Sequence, residues 1–206
     1  TDEGSLGLRG PNGAGKWTST NARSDLIRPD AGSVRVLGRN ARDDSVAVRE
    51  RTGVLPEGVD DYDRRTAREH VQFAIDSKGA DDDPYPLLER VGLAEDADRK
   101  AGGFSTGMRQ RLALSMALVG DPELLVLDEP SSGLDPNGAR ELRDIVEREA
   151  ADGTTVFFSS HILGQVEAVC DRVGIIREGE LVAVDTIEGL RENVGGGSTL
   201  VVEVDS

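Results

Sequence analysis

A glycine-rich run that ends in a lysine is the first part of the sequence that could do chemistry. The run reads Gly10, Pro11, Asn12, Gly13, Ala14, Gly15, Lys16, which is the spacing G-x-x-x-x-G-K. Glycines let consecutive backbone N–H groups turn toward one anion, and the lysine reaches the outer phosphates of a nucleotide. Glycine-rich turns are common, so the run alone is a moderately specific sign of a phosphate site.

Two adjacent carboxylates follow an apolar segment later in the chain. Residues 124–127 read Leu-Leu-Val-Leu, and Asp128 and Glu129 come directly after them. A strand in this place would bring Asp128 to a position where it holds Mg²⁺ through water, and Glu129 would polarise the attacking water. An acidic strand end also occurs without such chemistry, but the pair following the glycine-rich run makes that reading improbable.

Three further stretches carry a family resemblance. Phe104–Arg111 reads FSTGMRQR, Ser132–Pro136 reads SGLDP, and Ser159–His161 closes an apolar run. In order and spacing, the five motifs resemble the ATP-binding subunit of ABC transporters over essentially the whole chain. The form Ser-x-Gly-Met-x-Gln-Arg resembles the branch of drug, sodium and copper-maturation exporters. Residues 131–143 and 161–172 look most similar to the copper-maturation ATPase of nitrous oxide reductase.

This resemblance implies a composite ATP site. Ser105 and Gly107 would lie at a helix N-terminus whose N–H groups face the γ-phosphate of ATP on a partner chain. Asp135 would link the two sites across the interface. His161 would contact the γ-phosphate and act with Glu129 in catalysis.

The resemblance also implies the cofactors ATP and Mg²⁺. Asp128 and Glu57 would bind the metal, and Glu57 lies at the position where many relatives carry a glutamine. The full nucleotide-binding set would be Gly10, Pro11, Asn12, Gly13, Ala14, Gly15, Lys16, Trp17, Thr18, Glu57, Ser105, Gly107 and Asp135.

The phosphate-binding run departs from the family pattern after Lys16. A Ser or Thr there supplies a hydroxyl ligand to Mg²⁺, whereas this chain has Trp17, whose indole has no oxygen. Thr18 matches the usual α-phosphate contact but is not placed to replace that ligand. Residues 19–25 are polar where an apolar helix face is expected. A degenerate copy, a local sequence error and a divergent subunit all remain open.

The elements that must position these motifs predict an α/β fold. Strands alternating with helices indicate a P-loop NTPase core with a mostly parallel sheet, and a helical subdomain inserted at about 62–120 carries the signature motif. We expect one domain over 1–206, N-terminally truncated because the family's adenine-stacking aromatic is absent before Gly10. His70 is expected on a helix surface and Cys170 as a small buried apolar residue. Strands are predicted at 34–37, 124–127, 154–158, 173–177, 180–184 and 200–204, and helices at 65–78, 86–91 and 107–118.

The composition excludes several classes of function. The formal net charge of −15 argues against a nucleic-acid binder, because phosphate neutralisation requires a basic surface. The aliphatic runs are too short for a membrane span, no secretion signal is visible, and one cysteine allows no disulfide. Only three residues are lysine, a halophile-like pattern that keeps an acidic surface soluble in concentrated salt. An ordinary acidic surface is the simpler alternative.

Two functions are consistent with these patterns. The first is an ATP-hydrolysing motor subunit, peripheral on the inner face of the cell membrane, that pairs with a separate transmembrane permease and forms a nucleotide-dependent homodimer or pairs with another ATPase subunit. The second is a catalytically impaired nucleotide-binding module, with Trp17 in place of the Mg²⁺ ligand, that acts beside a paired subunit. A soluble ABC protein of translation or DNA repair is disfavoured, because 206 residues hold neither two such domains nor a long coiled coil.

Overall fold

The computed structural model describes residues 6–9, 33–58, 63–162, 164–166, 170–186 and 188–189. These ranges contain a six-stranded sheet in the order β4-β5-β6-β1-β7-β8 and a hairpin of β2 and β3. Neighbours in the large sheet are parallel except β7 and β8. This is the mostly parallel sheet that the sequence predicted. The strands are β1 (Leu6–Arg9), β2 (Arg35–Val36), β3 (Arg39–Asn40), β4 (Thr52–Leu55), β5 (Leu124–Asp128), β6 (Thr155–Ser160), β7 (Arg172–Arg177) and β8 (Glu180–Thr186).

The strands that carry the acidic pair and the Ser-Ser-His stretch lie in the middle of the sheet. β5 is buried from Leu125 onward, and β6 is buried from Val156 onward. Continuous burial on both faces is typical of a parallel strand covered on both sides. Buried strands give the residues at their carboxyl ends a fixed frame.

Besides two short 3₁₀ helices at Ala94–Asp96 and Ala101–Gly103, five α-helices have both ends within the described residues. They are α1 (Ser45–Glu50), α2 (Ala67–Lys78), α3 (Pro84–Arg90), α4 (Thr106–Ala117) and α5 (Pro136–Ala151). α2 begins with a capping box between Thr66 and Glu69 and ends at Gly79, whose φ is 67°. α2, α3 and α4 pack on one another. No helix in the described ranges is both long and apolar enough to cross a membrane.

An ion-pair network joins the α2–α4 group to α5. Arg90, at the end of α3, contacts the buried carboxylate of Glu149 in α5 and also pairs with Asp121 at 2.6 Å. These hydrogen bonds raise the pKa of the Arg90 guanidinium. A second link runs from Arg111 in α4 to Glu141 in α5, at 3.6 Å. The helices that carry the signature motif are therefore tied to the helix that follows the acidic pair.

Most predicted elements are present, with ends shifted by a few residues. The three predicted helices are α2, α3 and α4, and the strands predicted at 173–177 and 180–184 are β7 and β8, which Glu178 and Gly179 join through positive φ angles of 52° and 83°. Neither β1, β4, α1 nor α5 was predicted. The predicted strand at 200–204 lies outside the described residues.

The expectation that His70 lies on a helix surface is wrong. His70 is only 3% exposed, on the same face of α2 as the buried residues Ala67, Val71 and Ile75. Residues three and four apart share a helix face, so position 70 belongs to the apolar stripe of this helix. Its Nδ1 lies 2.8 Å from the carbonyl oxygen of Thr66, which satisfies one ring nitrogen. His70 is part of the helical packing.

Candidate active site

The candidate site lies where parallel strands end at one edge of the sheet. Asp128 of β5 pairs with Ser159 of β6, and Ser160 pairs with Arg9 of β1. β1 therefore points its carboxyl end to the same edge before the chain enters the glycine-rich run. Residues 10–32, with the predicted phosphate-binding set Gly10–Thr18, lie outside the described residues. Ligands in open α/β sheets bind at the carboxyl edge.

Asp128 and Ser159 form the buried floor of this site. Asp128 is 5% exposed, and Ser159 is fully buried. The Ser159 hydroxyl donates to Oδ1 of Asp128 and accepts the backbone N–H of Glu129, with a donor–acceptor distance of 3.2 Å. Among the described residues, no other group donates to the Asp128 carboxylate. Within the described residues, Oδ2 of Asp128 therefore receives no hydrogen bond.

Glu129 and His161 stand next to this floor and contact each other. Glu129 is 8% exposed and adopts φ 45°, a left-handed conformation that turns the chain sharply after β5. His161 Nδ1 lies 2.9 Å from Oε2 of Glu129, and the His161 side chain is 51% exposed. Because an ionised carboxylate only accepts hydrogen bonds, Nδ1 is the donor in this contact. A carboxylate held in place by a half-exposed imidazole can accept a proton from water.

A second group of predicted residues lies at the starts of α4 and α5. Ser105 caps α4 by accepting the N–H of Met108 at 3.3 Å, and Asp135 caps α5 by accepting the N–H of Gly138 at 2.7 Å. The two helix starts are adjacent, since a Cβ built on Gly107 would lie 4.0 Å from the Cα of Gly138. Ser105 and Asp135 are both exposed. Free N–H groups at a helix start favour an anion.

Glu57 lies at the same sheet edge but is exposed. It follows β4 by two residues, and Leu55 of that strand pairs with Leu127 of β5. Beside it, a groove of about 640 Å³ runs between β4 and the helices α2 and α4. Lys78 borders this groove and donates to the carbonyl of Val119 at 2.7 Å, and burial lowers the pKa of its ammonium.

Packing behind β1 supports the carboxyl edge. A Cβ on Gly7 would lie 2.0 Å from Cγ1 of Val166 and 3.1 Å from Sγ of Cys170, so a glycine is required here. Cys170 is buried, as predicted, and its burial raises the pKa of the thiol to about 12. The chain after β6 is therefore packed tightly on the strand that leads into the glycine-rich run.

Ser159 is the one residue of the floor to which the sequence assigned no role. Its position was part of the Ser-Ser-His stretch, yet a serine in a strand has no chemical signal of its own. The distinguishing signal is the strand period, because residues two apart point to the same side. Ser159 and His161 are two positions apart, so a strand that runs up to the histidine points both side chains to the same side. This spacing could have indicated that Ser159 contacts the carboxylates at the end of the neighbouring strand.

Comparison with known proteins connects the chain to a family. A model of the family described as "ABC transporter" matches residues 2–132. The chain is 35% identical over 205 residues to a linearmycin resistance ATP-binding protein of Bacillus subtilis, an alignment that covers 97% of this chain and 66% of that protein. It is 40% identical over 182 residues to a fluoroquinolones export ATP-binding protein of Mycobacterium tuberculosis, covering 88% and 60% of the two chains.

Solved structures share the overall fold. A structure described as the ATP binding subunit of an ABC transporter superposes with a TM-score of 0.82 at 29% identity, over 96% of this chain and 85% of that chain. A dimeric ATP-binding cassette bound to ADP and phosphate superposes with a TM-score of 0.79 at 22% identity, which supports the fold. The chain spans about 60 to 66% of the length of the first curated relatives that it matches.

Proposed function

The chain belongs to the ABC transporter family as an ATP-binding subunit, and from this premise we propose that it hydrolyses ATP to power export through a separate membrane subunit. The observation that carries the proposal is the hydrogen-bonded pair of Glu129 and His161 directly beside Asp128, at the carboxyl edge of a parallel sheet. A base, its orienting partner and a metal-facing carboxylate meet there in one place.

In this mechanism the residues of the chain divide the work. Glu129 accepts a proton from the attacking water, and His161 holds the Glu129 carboxylate and presents its exposed edge toward the γ-phosphate. Asp128 offers Oδ2, an oxygen donor of the kind that Mg²⁺ prefers, and Glu57 is a second oxygen donor at the same edge. Mg²⁺, when bound, supplies neutralisation of charge on the transferring phosphoryl group.

The described residues fit a metal that is held jointly with a nucleotide. No group of three or more His, Cys, Asp or Glu side chains in the described ranges could hold a metal ion by itself. Asp128 and Glu57 would act with phosphate oxygens, which is how Mg²⁺ is commonly bound in nucleotide sites. We propose that the run Gly10–Thr18 cradles those phosphates.

We further propose that two chains, or this chain and a paired ATPase subunit, complete each site. Ser105 and Asp135 are exposed and Gly107 is half-buried, and the three residues lie at two adjacent helix starts. Their N–H groups would face the nucleotide of the partner chain. The chain would act as one ATP-binding domain over 1–206, with the helical subdomain at about 62–120 presenting the signature motif.

The proposed membrane partner is a permease at the inner face of the cell membrane. The groove beside Glu57 would receive a helix of that permease. Relatives named for fluoroquinolones export and bacitracin transport favour a drug-like substrate within the exporter branch. The likeness of residues 131–143 and 161–172 to the copper-maturation ATPase of nitrous oxide reductase stays as the narrower proposal.

The test is a comparison of ATP hydrolysis in three proteins. Glu129→Gln should lower the rate about 100- to 10,000-fold, the range for loss of a general base. Glu147→Gln is the matched control, because Glu147 lies on the exposed side of α5, where it pairs with Arg143 at 3.5 Å. Size-exclusion chromatography with millimolar ATP should show a dimer for Glu129→Gln. A Glu129→Gln variant that hydrolyses ATP as fast as the parent would contradict the proposal.

The impaired alternative rests on Trp17 and is tested separately. If the indole removes an Mg²⁺ ligand, Trp17→Ser should raise the ATPase rate and the affinity for MgATP about 10- to 100-fold. Glu57→Gln should then lower the remaining activity of the parent, because Glu57 would be compensating at the metal. Equal rates for the parent and Trp17→Ser would remove the case for impairment through the metal.

A further inference from the structure

We propose that Ser159 is a positioning residue whose single hydroxyl sets the geometry of both acidic residues of the site. The proposal rests on the proposed ATPase function and adds a residue to it. Ser159 touches no reacting atom in this scheme. It would act by fixing which oxygen of Asp128 faces the metal and where the chain turns at Glu129.

The hydrogen bonds of Ser159 have a defined direction. Its Oγ accepts the backbone N–H of Glu129 at 3.2 Å and donates to Oδ1 of Asp128. The same N–H lies 3.1 Å from the carbonyl oxygen of Ser159. Because the amide occupies the acceptor side of the hydroxyl, the hydroxyl proton is left to point at Asp128.

The contact gives the two oxygens of the Asp128 carboxylate different surroundings. Oδ1 is held by the Ser159 hydroxyl, and Oδ2 receives no hydrogen bond from the residues that the structure describes. Outer partners that hydrogen-bond a ligating carboxylate fix its orientation and tune its affinity for metal. The Ser159 hydroxyl would therefore limit rotation of the carboxylate, and Oδ2 would be the oxygen offered to the metal.

The contact also stabilises an uncommon backbone conformation. Glu129 has φ 45°, a left-handed conformation that is sterically unfavourable for a residue with a side chain. Two oxygen atoms of Ser159 share the N–H of Glu129 and hold it in this conformation. The turn directs the Glu129 side chain to His161, so the serine connects the metal-facing carboxylate with the base.

A buried serine that merely satisfies its own hydroxyl looks different, and the chain contains one for comparison. Ser115 in α4 is as fully buried as Ser159, but its Oγ donates to the carbonyl of Leu112 at 2.7 Å, three residues away in the same helix. Ser159 instead reaches a carboxylate on the neighbouring strand, 31 residues distant in sequence. Ser115→Ala thus removes an equally buried hydroxyl without touching the site.

The experiment measures how Mg²⁺ alters the affinity for ADP, which avoids turnover. Calorimetric titration of ADP is carried out in MgCl₂ and in EDTA for the parent, Ser159→Ala, Ser159→Thr and Ser115→Ala. In Ser159→Ala we expect the gain in affinity from Mg²⁺ to fall about 10-fold, as for other outer-sphere losses, while the affinity in EDTA stays within about twofold. Ser159→Thr retains the hydroxyl and should restore the Mg²⁺ gain, and Ser115→Ala should leave it unchanged.

Other outcomes decide against the proposal. If Ser159→Ala has the same affinity for ADP as the parent in both buffers, or loses the same factor of affinity in both, the gain from Mg²⁺ is unchanged. The serine would then serve packing alone. Should Ser159→Ala fail to fold, Ser159→Cys, which keeps the size but donates more weakly, must show the reduced Mg²⁺ gain. A parent protein that binds MgADP but hydrolyses no ATP would overturn the proposed function, whereas the Mg²⁺ readout would still test the serine.

Discussion

The two groups of site residues are held in place by different means. The carboxyl-edge cluster, defined as Asp128, Glu129, Ser159 and His161, is joined by hydrogen bonds between residues 30 to 32 positions apart in sequence. The helix-start cluster, defined as Ser105, Gly107, Asp135 and Gly138, is organised by caps that span three residues each. The fold as a whole fixes the first cluster, and local sequence fixes each half of the second.

This difference matches what each cluster would have to do. The carboxyl-edge cluster is buried except at His161, so its carboxylates are held in one geometry. The helix-start cluster is exposed at Ser105 and Asp135 and half-buried at its two glycines, and ion pairs of Arg90 and Arg111 join α3 and α4 to α5. Cutting a bond in the first cluster should therefore impair chemistry, and cutting one in the second should impair the assembly of two chains.

After Glu129→Gln, the largest expected effect comes from removing the exposed member of the carboxyl-edge cluster. His161→Ala removes the side chain that holds Oε2 of Glu129 at 2.9 Å. We expect the ATPase rate to fall about 100-fold or more, the lower end for general acid–base catalysis, while the thermal midpoint changes little because the side chain is half exposed. Steady-state hydrolysis and thermal unfolding of the same samples measure the two quantities.

Ile162→Ala is the matched control for this variant. Ile162 is the next residue, is 46% exposed, and has an aliphatic side chain that can neither donate nor accept a hydrogen bond. It should keep the parental rate. A rate loss as large in Ile162→Ala as in His161→Ala would mean that any change in this loop is damaging, and the contact with Glu129 would lose its special role.

The contrast between the clusters also explains what was predictable from the sequence. Caps and apolar spacing are local, so α2, α3 and α4 were predicted near their true ends, and Ser105 was expected at a helix start. The sequence of α5 carries the same kind of local signal. It begins with Asp135 and Pro136 and continues with Leu142, Ile145 and Val146 at helical spacing. β4 is short and contains Gly53, which lies against the carbonyl of Ala117 and weakens the strand pattern.

Long-range pairing was not predictable by these means. The register that places Asp128 opposite Ser159 is set by the packing of β5 against β6. His70 shows the same limit, because its polar side chain argued for a surface position while its place in the apolar stripe of α2 made it buried. The motif order predicted Glu129 and His161 as catalytic residues, but their direct contact and the hydroxyl beneath them emerged from the fold.

The packing of Cys170 against β1, behind the carboxyl edge, should open only rarely. Burial, with a smaller contribution from the charge of Asp171, raises the pKa of the Cys170 thiol to about 12. Because the thiolate is the reactive form, alkylation by iodoacetamide at pH 8 should be at least about 100-fold slower in the native protein than in urea. Mass spectrometry of timed samples gives both rates.

The raised pKa of the Cys170 thiol also makes the free energy of unfolding depend on pH. The native state holds the thiol proton more tightly than the unfolded chain, whose cysteine pKa is about 8.5. The contribution of Cys170 to the free energy of unfolding is therefore complete below that pH and is lost as the pH rises toward 12. Cys170→Ala should remove this part of the alkaline loss. Native labelling as fast as in urea would show that the packing on β1 opens readily.

The smallest expected effect distinguishes a cap that only stabilises its own helix from a cap that also takes part in dimer assembly. Ser105→Ala and Thr66→Ala each remove a side chain that caps a 12-residue helix, α4 and α2 respectively, and each should lower the free energy of unfolding by about 1 kcal/mol. Thr66 belongs to a self-contained capping box, whereas Ser105 stands beside Asp135 in the helix-start cluster. Only Ser105→Ala should therefore weaken ATP-dependent dimerisation, which we would measure by size-exclusion chromatography in the Glu129→Gln background. If Thr66→Ala weakened the dimer equally, Ser105 would act through the stability of its helix, and the helix-start cluster would have no separate part in assembly.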